Sequence, residues 1–296
     1  MNILNLDTPG KKVDIVIDSD AYNEVDDQFA ISYALRSKEN ISVKAIYAAP
    51  FSNSHARTPE EGMEQSYNEI LTLLDLLGEK VEVFRGSKKY LPDEKTPVIS
   101  EAAEDIVKRA KSYSPDEPLY VVAIGAITTV ASAILMDPSI VNNMAVIWLG
   151  GHAWHFKHSR EFNMVQDVPA AQVILDSKVP FLQVPCVGVC DMLHTSVPEL
   201  KYYLEGKNPL SDYLCKIVCE YNSGNAYCWS KVIWDVSAVA ALLTPGYGEA
   251  VALPTPILTS DSLYAFDTAR HHMLYVRSLN RDRIFADLFK TITKQS

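Results

Sequence analysis

The chain has 296 residues, 48% of them hydrophobic and 22% charged, and its formal net charge is −10. This profile is typical of a globular protein with room for one large domain or two small ones. The acidic balance argues against a general binder of nucleic acid. Neither a long uncharged apolar run nor a basic-then-apolar leader is visible, so we expect a soluble, cytoplasmic protein that does not span a membrane.

The first informative segment is an apolar, β-branched run followed by clustered aspartates. Val13 to Ile17 suits a buried strand, and Asp18, Asp20, Asp26 and Asp27 come directly after it. Apolar residues then recur at helical spacing, so the carboxylates lie at a strand-to-helix turn, the usual ligand crevice of an open α/β sheet. Clustered carboxylates are costly to bury without a cation, and Ca²⁺ or Mg²⁺ prefers oxygen ligands. We therefore favour a metal site, with helix capping as the alternative.

Strand-like runs and helical patterns alternate through most of the chain. The predicted strands are 13–17, 43–49, 81–84, 119–124, 144–149 and 180–187, with late or edge strands at 250–258 and 272–277. The predicted helices are 62–77, 100–111, 128–136, 168–176, 197–220 and 230–243. This rhythm predicts an α/β fold with a mainly parallel central sheet flanked by helices and a helix-rich C-terminal half. No linker or repeat interrupts the pattern, so we expect a single domain over residues 1–296.

Residues 121–163 contain two further candidate ligand segments. A strand ends near Ile124, whose backbone carbonyl could bind a hard cation. Gly150 and Gly151 follow another strand and permit close approach of the backbone to a ligand. Glu161 and Asn163 come soon after and suit sugar hydroxyls, although they would equally suit a loop anchored by backbone hydrogen bonds.

Histidines, cysteines and one late aspartate are less decisive. His152, His155 and His158 lack the spacing of a metal motif, so hydrogen-bonding roles are favoured. The five cysteines predict buried free thiols, with a zinc site near His194 as the alternative. Asp235 lies in an otherwise apolar stretch, and a metal ligand and a carboxylate paired with a neighbouring group are equally consistent with it.

Together these segments resemble the nucleoside hydrolase (inosine–uridine-preferring N-ribohydrolase) family from Val13 to about Leu243. The family motifs are matched by Asp18-Ser19-Asp20 with Asp26-Asp27, by Gly125-Ala126-Ile127-Thr128-Thr129, by Gly150-Gly151 with Glu161-Phe162-Asn163, and by Asp235. The resemblance implies a Rossmann-like fold, a Ca²⁺ cofactor, a small-molecule ribosyl substrate and assembly into dimers or tetramers.

The resemblance also implies a role for each matching residue. Asp20 and Asp27 would bind Ca²⁺ with Asp235 and the carbonyl of Ile124, and Asp18 would support them. Asp20 would also accept a proton from the attacking water. The residues that would hold the ribose are Asp26, Glu161 and Asn163, with Asn53 as a further candidate.

The chain departs from the family pattern around the expected base site. Five residues, Ala21 to Val25, separate Asp20 from Asp26 where the family usually has three, and the loop between Gly151 and Glu161 is shorter. Trp234 stands where many members have a histidine that protonates the leaving base, and it could instead stack on the base. The candidate replacements are His152, His155, Tyr227 and Lys231, and Asn23 and Glu24 could also face the ligand.

The sequence thus predicts a Ca²⁺-dependent hydrolase that cleaves the N-ribosyl bond of a nucleoside or a related compound, giving base and ribose. The alternative is a metal-dependent protein of the same fold that binds a ribose ligand without turnover. A Mg²⁺ phosphohydrolase using Asp18 and Asp20 is a third reading, but it leaves Asp26, Asp27 and Glu161 without a role.

Overall fold

The computed structural model describes residues 10–222 and 227–294. Its strands are β1 (Val13–Ser19), β2 (Ile41–Ala48), β3 (Glu82–Arg85), β4 (Leu119–Ala123), β5 (Met144–Leu149), β6 (Phe181–Val184), β7 (His194–Ser196), β8 (Ser230–Val232), β9 (Gly248–Pro254), β10 (Ile257–Leu258), β11 (Tyr264–Ala265) and β12 (His272–Leu279). Its α-helices are α1 (Asp27–Arg36), α2 (Pro59–Leu77), α3 (Glu101–Ala110), α4 (Thr128–Met136), α5 (Phe162–Gln166), α6 (Val168–Asp176), α7 (Val197–Tyr203), α8 (Pro209–Tyr221), α9 (Val236–Leu243) and α10 (Arg281–Thr293).

The central sheet has eight strands in the order β3-β2-β1-β4-β5-β6-β12-β9. Neighbouring strands are parallel except β9 and β12, which pair antiparallel at one edge. The prediction of a mainly parallel sheet flanked by helices is therefore confirmed. The strand order reverses direction between β1 and β4, which are adjacent, with Asp18 opposite Ala123. A reversal of this kind opens a crevice at the carboxyl ends of the two strands.

Both faces of the sheet are buried, which explains why its strands are apolar without strict alternation. Along β1, Ile15 and Ile17 pack into the core on one face, and Val16 packs into the core on the other. The first core also includes α1 and α9, whereas the second includes α4 and α6. This packing holds the strand ends that carry the aspartates.

Two of the predicted C-terminal elements are wrong in extent. The predicted helix 197–220 is two helices, α7 and α8, because Asn208 and Pro209 begin a new helix with a capping box. The predicted helix 230–243 starts only at Val236, and residues 230–232 form β8, which pairs antiparallel with β7. A proline at the first turn and a local strand pairing both outweigh the helical spacing of apolar residues.

The end of the chain also differs from the sequence prediction. The predicted strand 250–258 stops at Pro254, and Ile257–Leu258 pairs separately with β11. Helix α10 was not predicted, although Asn280 caps it and it buries an apolar stripe that includes Phe285 and Leu288. Over the described residues, no helix combines the length and the apolar character needed to cross a membrane.

Candidate active site

A cleft of about 430 Å³ opens at the carboxyl ends of the central strands. Its lining is dominated by polar side chains from segments far apart in the sequence. The lining includes Asp20, Asn23, Glu24, Asp26, Asp27, Asn53, His55, Ile124, His152, Glu161, Asn163, Cys186, Tyr221, Trp234 and Asp235. The structure therefore brings together most of the predicted site residues.

The aspartates stand at the ends of regular elements. Asp20 follows the last residue of β1, and Asp26 and Asp27 begin α1. Asp235 is the residue before α9, which packs against α1 in the core. A helix N-terminus carries a partial positive charge, so α1 and α9 favour carboxylates at these positions.

Three of these carboxylates form a compact, buried group. Ligand oxygens of Asp26, Asp27 and Asp235 all lie within 4.8 Å of one another. Asp27 also accepts a hydrogen bond of 2.5 Å from the Ser19 hydroxyl. Asp20 is not part of this group of three, but it lines the same cleft, and its Oδ2 atom is buried with no hydrogen-bond partner among the described residues.

The carboxylates are electrostatically unfavourable without a counter-charge. Burial raises the pKa of Asp20 and Asp235, and repulsion by neighbouring aspartates raises it further. For Asp27, burial and the charge of Asp26 raise the pKa to about 7. Burial also raises the pKa of Asp26, but Lys231 opposes that effect. The orphaned oxygen of Asp20 and the all-oxygen donor set fit a hard divalent cation, which would relieve this repulsion.

Asp18 lies behind the cleft and does not line it. Its side chain is fully buried, and burial raises its pKa, an effect that the neighbouring Thr129 hydroxyl opposes. Its backbone carbonyl accepts a hydrogen bond of 2.8 Å from the Ile124 amide, which joins β1 to the turn after β4. This position is consistent with the predicted supporting role.

The turn after β4 brings Gly125 close to Asp20, and Ile124 lines the same cleft. A side chain at Gly125 would come within 3.0 Å of the Asp20 carboxyl carbon, so glycine permits this close approach. The Asn163 side-chain amide donates to the carbonyls of Ile124 at 3.2 Å and Leu149 at 3.0 Å. A carbonyl oxygen has two lone pairs, so the Ile124 carbonyl retains one for a cation.

Glu161 anchors its loop through backbone hydrogen bonds, which is one of the two roles that the sequence left open. It caps α5, and its carboxylate accepts from the backbone amides of Gly151 at 2.8 Å, Asn163 at 2.9 Å and Met164 at 3.1 Å. These bonds anchor the loop after β5, while the side chain still lines the cleft. Its contact with a sugar stays a prediction.

Residues of the loop between β1 and α1 reach both sides of the cleft. On one side, the Asn53 side chain donates to Asn23 at 2.8 Å. On the other side, Glu24 accepts from the Lys231 ammonium at 2.5 Å and from the Tyr221 hydroxyl at 3.0 Å. Loop residues therefore connect the turn after β2 with α8 and β8.

The structure separates the candidates for the base site. Trp234 and His152 line the cleft, and burial, together with His158, lowers the pKa of His152. In contrast, Tyr227 is 88% exposed, and it does not line the cleft. His155, His158 and Lys231 also lie outside the lining.

Sequence reasoning missed Tyr221, His55 and Cys186 as lining residues. Tyr221 is the last residue of α8, where the helical pattern gives no sign that its side chain reaches another segment. The predicted buried thiols are found at Cys186, Cys190 and Cys215, whereas Cys219 is half-buried and Cys228 exposed. His194 instead contacts the Ser230 hydroxyl at 3.1 Å.

Comparison with known proteins bears on the identity of this cleft. A model of the inosine-uridine preferring nucleoside hydrolase family matches residues 15–286. The chain is 25% identical over 234 residues to a probable uridine nucleosidase 2 of Arabidopsis thaliana, a match that covers 72% of this chain and 70% of that protein. The family match includes every residue that lines the cleft.

Solved structures show the same fold. A plant nucleoside hydrolase superposes with a TM-score of 0.78 at 19% identity, and the match covers 97% of this chain and 100% of that protein. A purine-preferring ribonucleoside hydrolase from Gardnerella vaginalis gives a TM-score of 0.76 at 20% identity, covering 95% of this chain and 98% of its own. Since the family model spans most of the sequence, the chain belongs to the inosine-uridine preferring nucleoside hydrolase family and is an N-glycosyl hydrolase.

Proposed function

We propose that the protein is a Ca²⁺-dependent N-ribohydrolase that cleaves a nucleoside or a related ribosyl compound into base and ribose. The single observation that carries the proposal is the buried carboxylate cluster at the sheet crevice, with an unpartnered oxygen on Asp20. The family match supports the reaction class. The all-oxygen donor set supports a hard cation such as Ca²⁺.

The proposed cation ligands are Asp20, Asp27, Asp235 and the Ile124 carbonyl. A divalent cation at this position would supply Lewis acidity toward the water nucleophile. Asp20 accepts the proton that this water loses as its oxygen attacks the anomeric carbon, a step typically worth ~10²–10⁴-fold in rate. The carbon–nitrogen bond breaks at the same carbon, and the base leaves with the electron pair and takes up a proton.

Polar groups around the sugar complete the proposed mechanism. Asp26, Glu161 and Asn163 hold the ribose hydroxyls. The ribosyl group passes through a state with oxocarbenium character, and the surrounding carboxylates stabilise its positive charge. The water-accessible volume of about 430 Å³ is consistent with a small ligand.

The base is proposed to lie against Trp234, with His152 and Tyr221 also in the cleft lining. An indole stacks on a base but cannot donate a proton as an imidazolium can. Because the pKa of His152 is lowered, its side chain is neutral at pH 7 and can serve as a hydrogen-bond donor rather than as a resident cationic acid. The relatives are named for uridine and for purine substrates, so both classes of base belong in the test.

The test is an assay of purified protein against purine and pyrimidine ribonucleosides, with Ca²⁺ present and after chelation. We expect release of free base and ribose in equal amounts, lost on chelation and restored by Ca²⁺. Mg²⁺ added alone to the chelated protein serves as the comparison for cation identity. Absence of turnover of every ribosyl compound by cation-loaded protein would refute the hydrolase proposal.

A second candidate is a protein of this fold that binds a ribose ligand without turnover. The observation that favours it is Trp234 in the cleft at the position where a histidine is expected to protonate the base. It predicts calorimetric binding of a nucleoside with no product after prolonged incubation. Slow hydrolysis that disappears in Asp20→Ala would exclude it.

Assembly and compartment are also proposed from the family alone. We propose a cytoplasmic dimer or tetramer. Light scattering coupled to gel filtration measures the mass in solution, and a mass near the 32.9 kDa of one chain would contradict the assembly proposal.

A further inference from the structure

Lys231 is a buried lysine in direct contact with the acidic cleft. Its side chain is 7% exposed and belongs to β8. The cleft lining carries six carboxylates: Asp20, Glu24, Asp26, Asp27, Glu161 and Asp235. Within residues 10–222 and 227–294, Lys231 is the one lysine or arginine that forms an ion pair with any of them. Burying an ammonium group costs free energy, so the placement of Lys231 beside the carboxylates of Glu24 and Asp26 requires a reason.

The Lys231 ammonium is held in position by the loop between β1 and α1. Its Nζ atom donates to Glu24 Oε2 at 2.5 Å and to the Val232 carbonyl at 3.0 Å. The second oxygen of Glu24 accepts from Tyr221. The same loop is fixed at its start, where the Gln28 side chain donates to the Ala21 carbonyl at 2.7 Å.

From this position Lys231 faces Asp26. Its Nζ atom lies 3.6 Å from Asp26 Oδ1, and the Trp234 backbone amide donates to Asp26 Oδ2 at 3.0 Å. Asp26 is also close enough to Asp27 and Asp235 to become an additional cation ligand. Each oxygen of Asp26 thus has a positive or donor group of its own, which competes with a cation for it. The oxygens retain lone pairs that can accept sugar hydroxyls.

We propose that Lys231, held by Glu24, is a positioning residue that reserves Asp26 for the sugar hydroxyls and keeps it from joining the cation ligands. This inference rests on the proposed ribohydrolase function, in which Asp26 contacts the ribose. It assigns a purpose to the Ala21–Val25 loop, because this loop carries Glu24.

The test is calorimetry of Lys231→Met with two probes, Ca²⁺ alone and D-ribose in saturating Ca²⁺. Ribose affinity should fall about ten- to a hundredfold, because one partner of a buried charge pair is lost. Ca²⁺ affinity should stay the same or increase, because a positive charge near the cation is removed. A merely structural role would weaken both together, so that result, or an unchanged ribose affinity, would overturn the proposal.

Three further variants keep the test decisive. Lys216→Met is the matched control, because Lys216 is 68% exposed on α8 and its ion pair is with Glu220, outside the cleft lining; both affinities should match wild type. Glu24→Gln/Lys231→Met removes both charges of the Glu24–Lys231 pair, so that Glu24 is not left as an unpaired charge, and should still lose ribose affinity if the single variant does not fold. Glu24→Gln alone should lose less ribose affinity than Lys231→Met does. An equal loss of ribose affinity would show that anchoring of the loop, and not the charge beside Asp26, is responsible.

The outcomes separate this inference from the proposed function. If wild type neither binds ribose nor hydrolyses nucleosides, the proposed function fails and the inference fails with it. If wild type does both and Lys231→Met behaves like Lys216→Met, the proposed function stands and the inference alone is wrong.

Discussion

The floor and the rim of the cleft are built in different ways. The floor consists of Asp20, Asp27 and Asp235, which are buried and stand at the end of β1 or the start of α1 and α9. The rim consists of Asn23, Glu24, Tyr221 and Trp234, with the buried Lys231 of β8 paired to Glu24 behind it, and these residues come from two loops, a short strand and the end of α8. Sheet topology sets the floor, whereas loop length and contacts between distant segments set the rim. We therefore expect the floor to determine the reaction and the rim to determine the substrate.

The largest expected effect is at the floor. Asp20→Ala should lower kcat by about 10²–10⁴-fold, because it removes the proposed proton acceptor. Steady-state kinetics with saturating Ca²⁺, together with a melting curve, measures this loss separately from any unfolding. Asp116→Ala is the control, because Asp116 is an exposed aspartate away from the cleft. Activity of Asp20→Ala within tenfold of wild type would contradict the assignment.

Removal of the cation should expose the repulsion within the floor as a dependence of stability on pH. The pKa of Asp27 rises from 3.8 to about 7 on folding, so its folded form binds the proton more tightly than the unfolded chain does. Stability of the chelated protein is then highest near the unfolded pKa and falls as pH rises to about 7, by roughly 2–4 kcal/mol.

Melting temperatures at pH 5 and pH 7.5, with chelator and with Ca²⁺, test this expectation. The chelated protein should melt roughly 5–15 °C lower at pH 7.5 than at pH 5. Saturating Ca²⁺ should remove most of that difference, and Asp27→Asn should reduce it without Ca²⁺. Equal melting temperatures of the chelated protein at both pH values would show that repulsion among these aspartates does not destabilise the fold.

A smaller effect is expected at the rim, on affinity for the base. Trp234→Ala should raise KM for nucleosides by about 5- to 150-fold, because base–aromatic stacking contributes ~1–3 kcal/mol. Affinity for free ribose should change little, since ribose lacks the base. Trp234→Phe retains an aromatic face and is the matched control. Equal losses of affinity for nucleoside and for ribose would show that Trp234 acts on the sugar site and not on the base.

The smallest effect is expected from Tyr221→Phe. The change removes one hydrogen bond to Glu24, which is still held by Lys231, so the loss should correspond to about 0.5–1.5 kcal/mol, or roughly two- to twelvefold in KM. Kinetics with one purine and one pyrimidine nucleoside would show whether the two bases are affected unequally. A change in Ca²⁺ affinity would break the division between floor and rim.

Much of the fold and most of the floor could be predicted from the sequence because their signals are local. The alternation of apolar strands and helices fixed the architecture, and Asp18, Asp20, Asp26 and Asp27 are visible as a run after a strand. The boundaries of helices and strands were less predictable where pairing with a neighbouring element determines them. Residues 230–232 form β8 only because β7 lies opposite, a pairing that helical spacing cannot reveal.

The rim was less accessible to prediction. Tyr221 and Tyr227 lie six positions apart in the sequence, yet Tyr227 is exposed and Tyr221 lines the cleft. His152, His155 and His158 lie within seven residues, and only His152 lines it. Side-chain position in such segments depends on how the chain bends and on what it packs against, and composition and spacing carry little of that information.

The sequence by itself determined the parallel α/β architecture, the family and the aspartates of the floor, because these depend on periodicity and on short motifs. Only the tertiary structure decided that Glu24 and Lys231, separated by 207 positions, form an ion pair beside Asp26. The physical reason is that charge–charge and hydrogen-bond contacts depend on distance in space, and for loop residues that distance is set by the packing of the whole molecule.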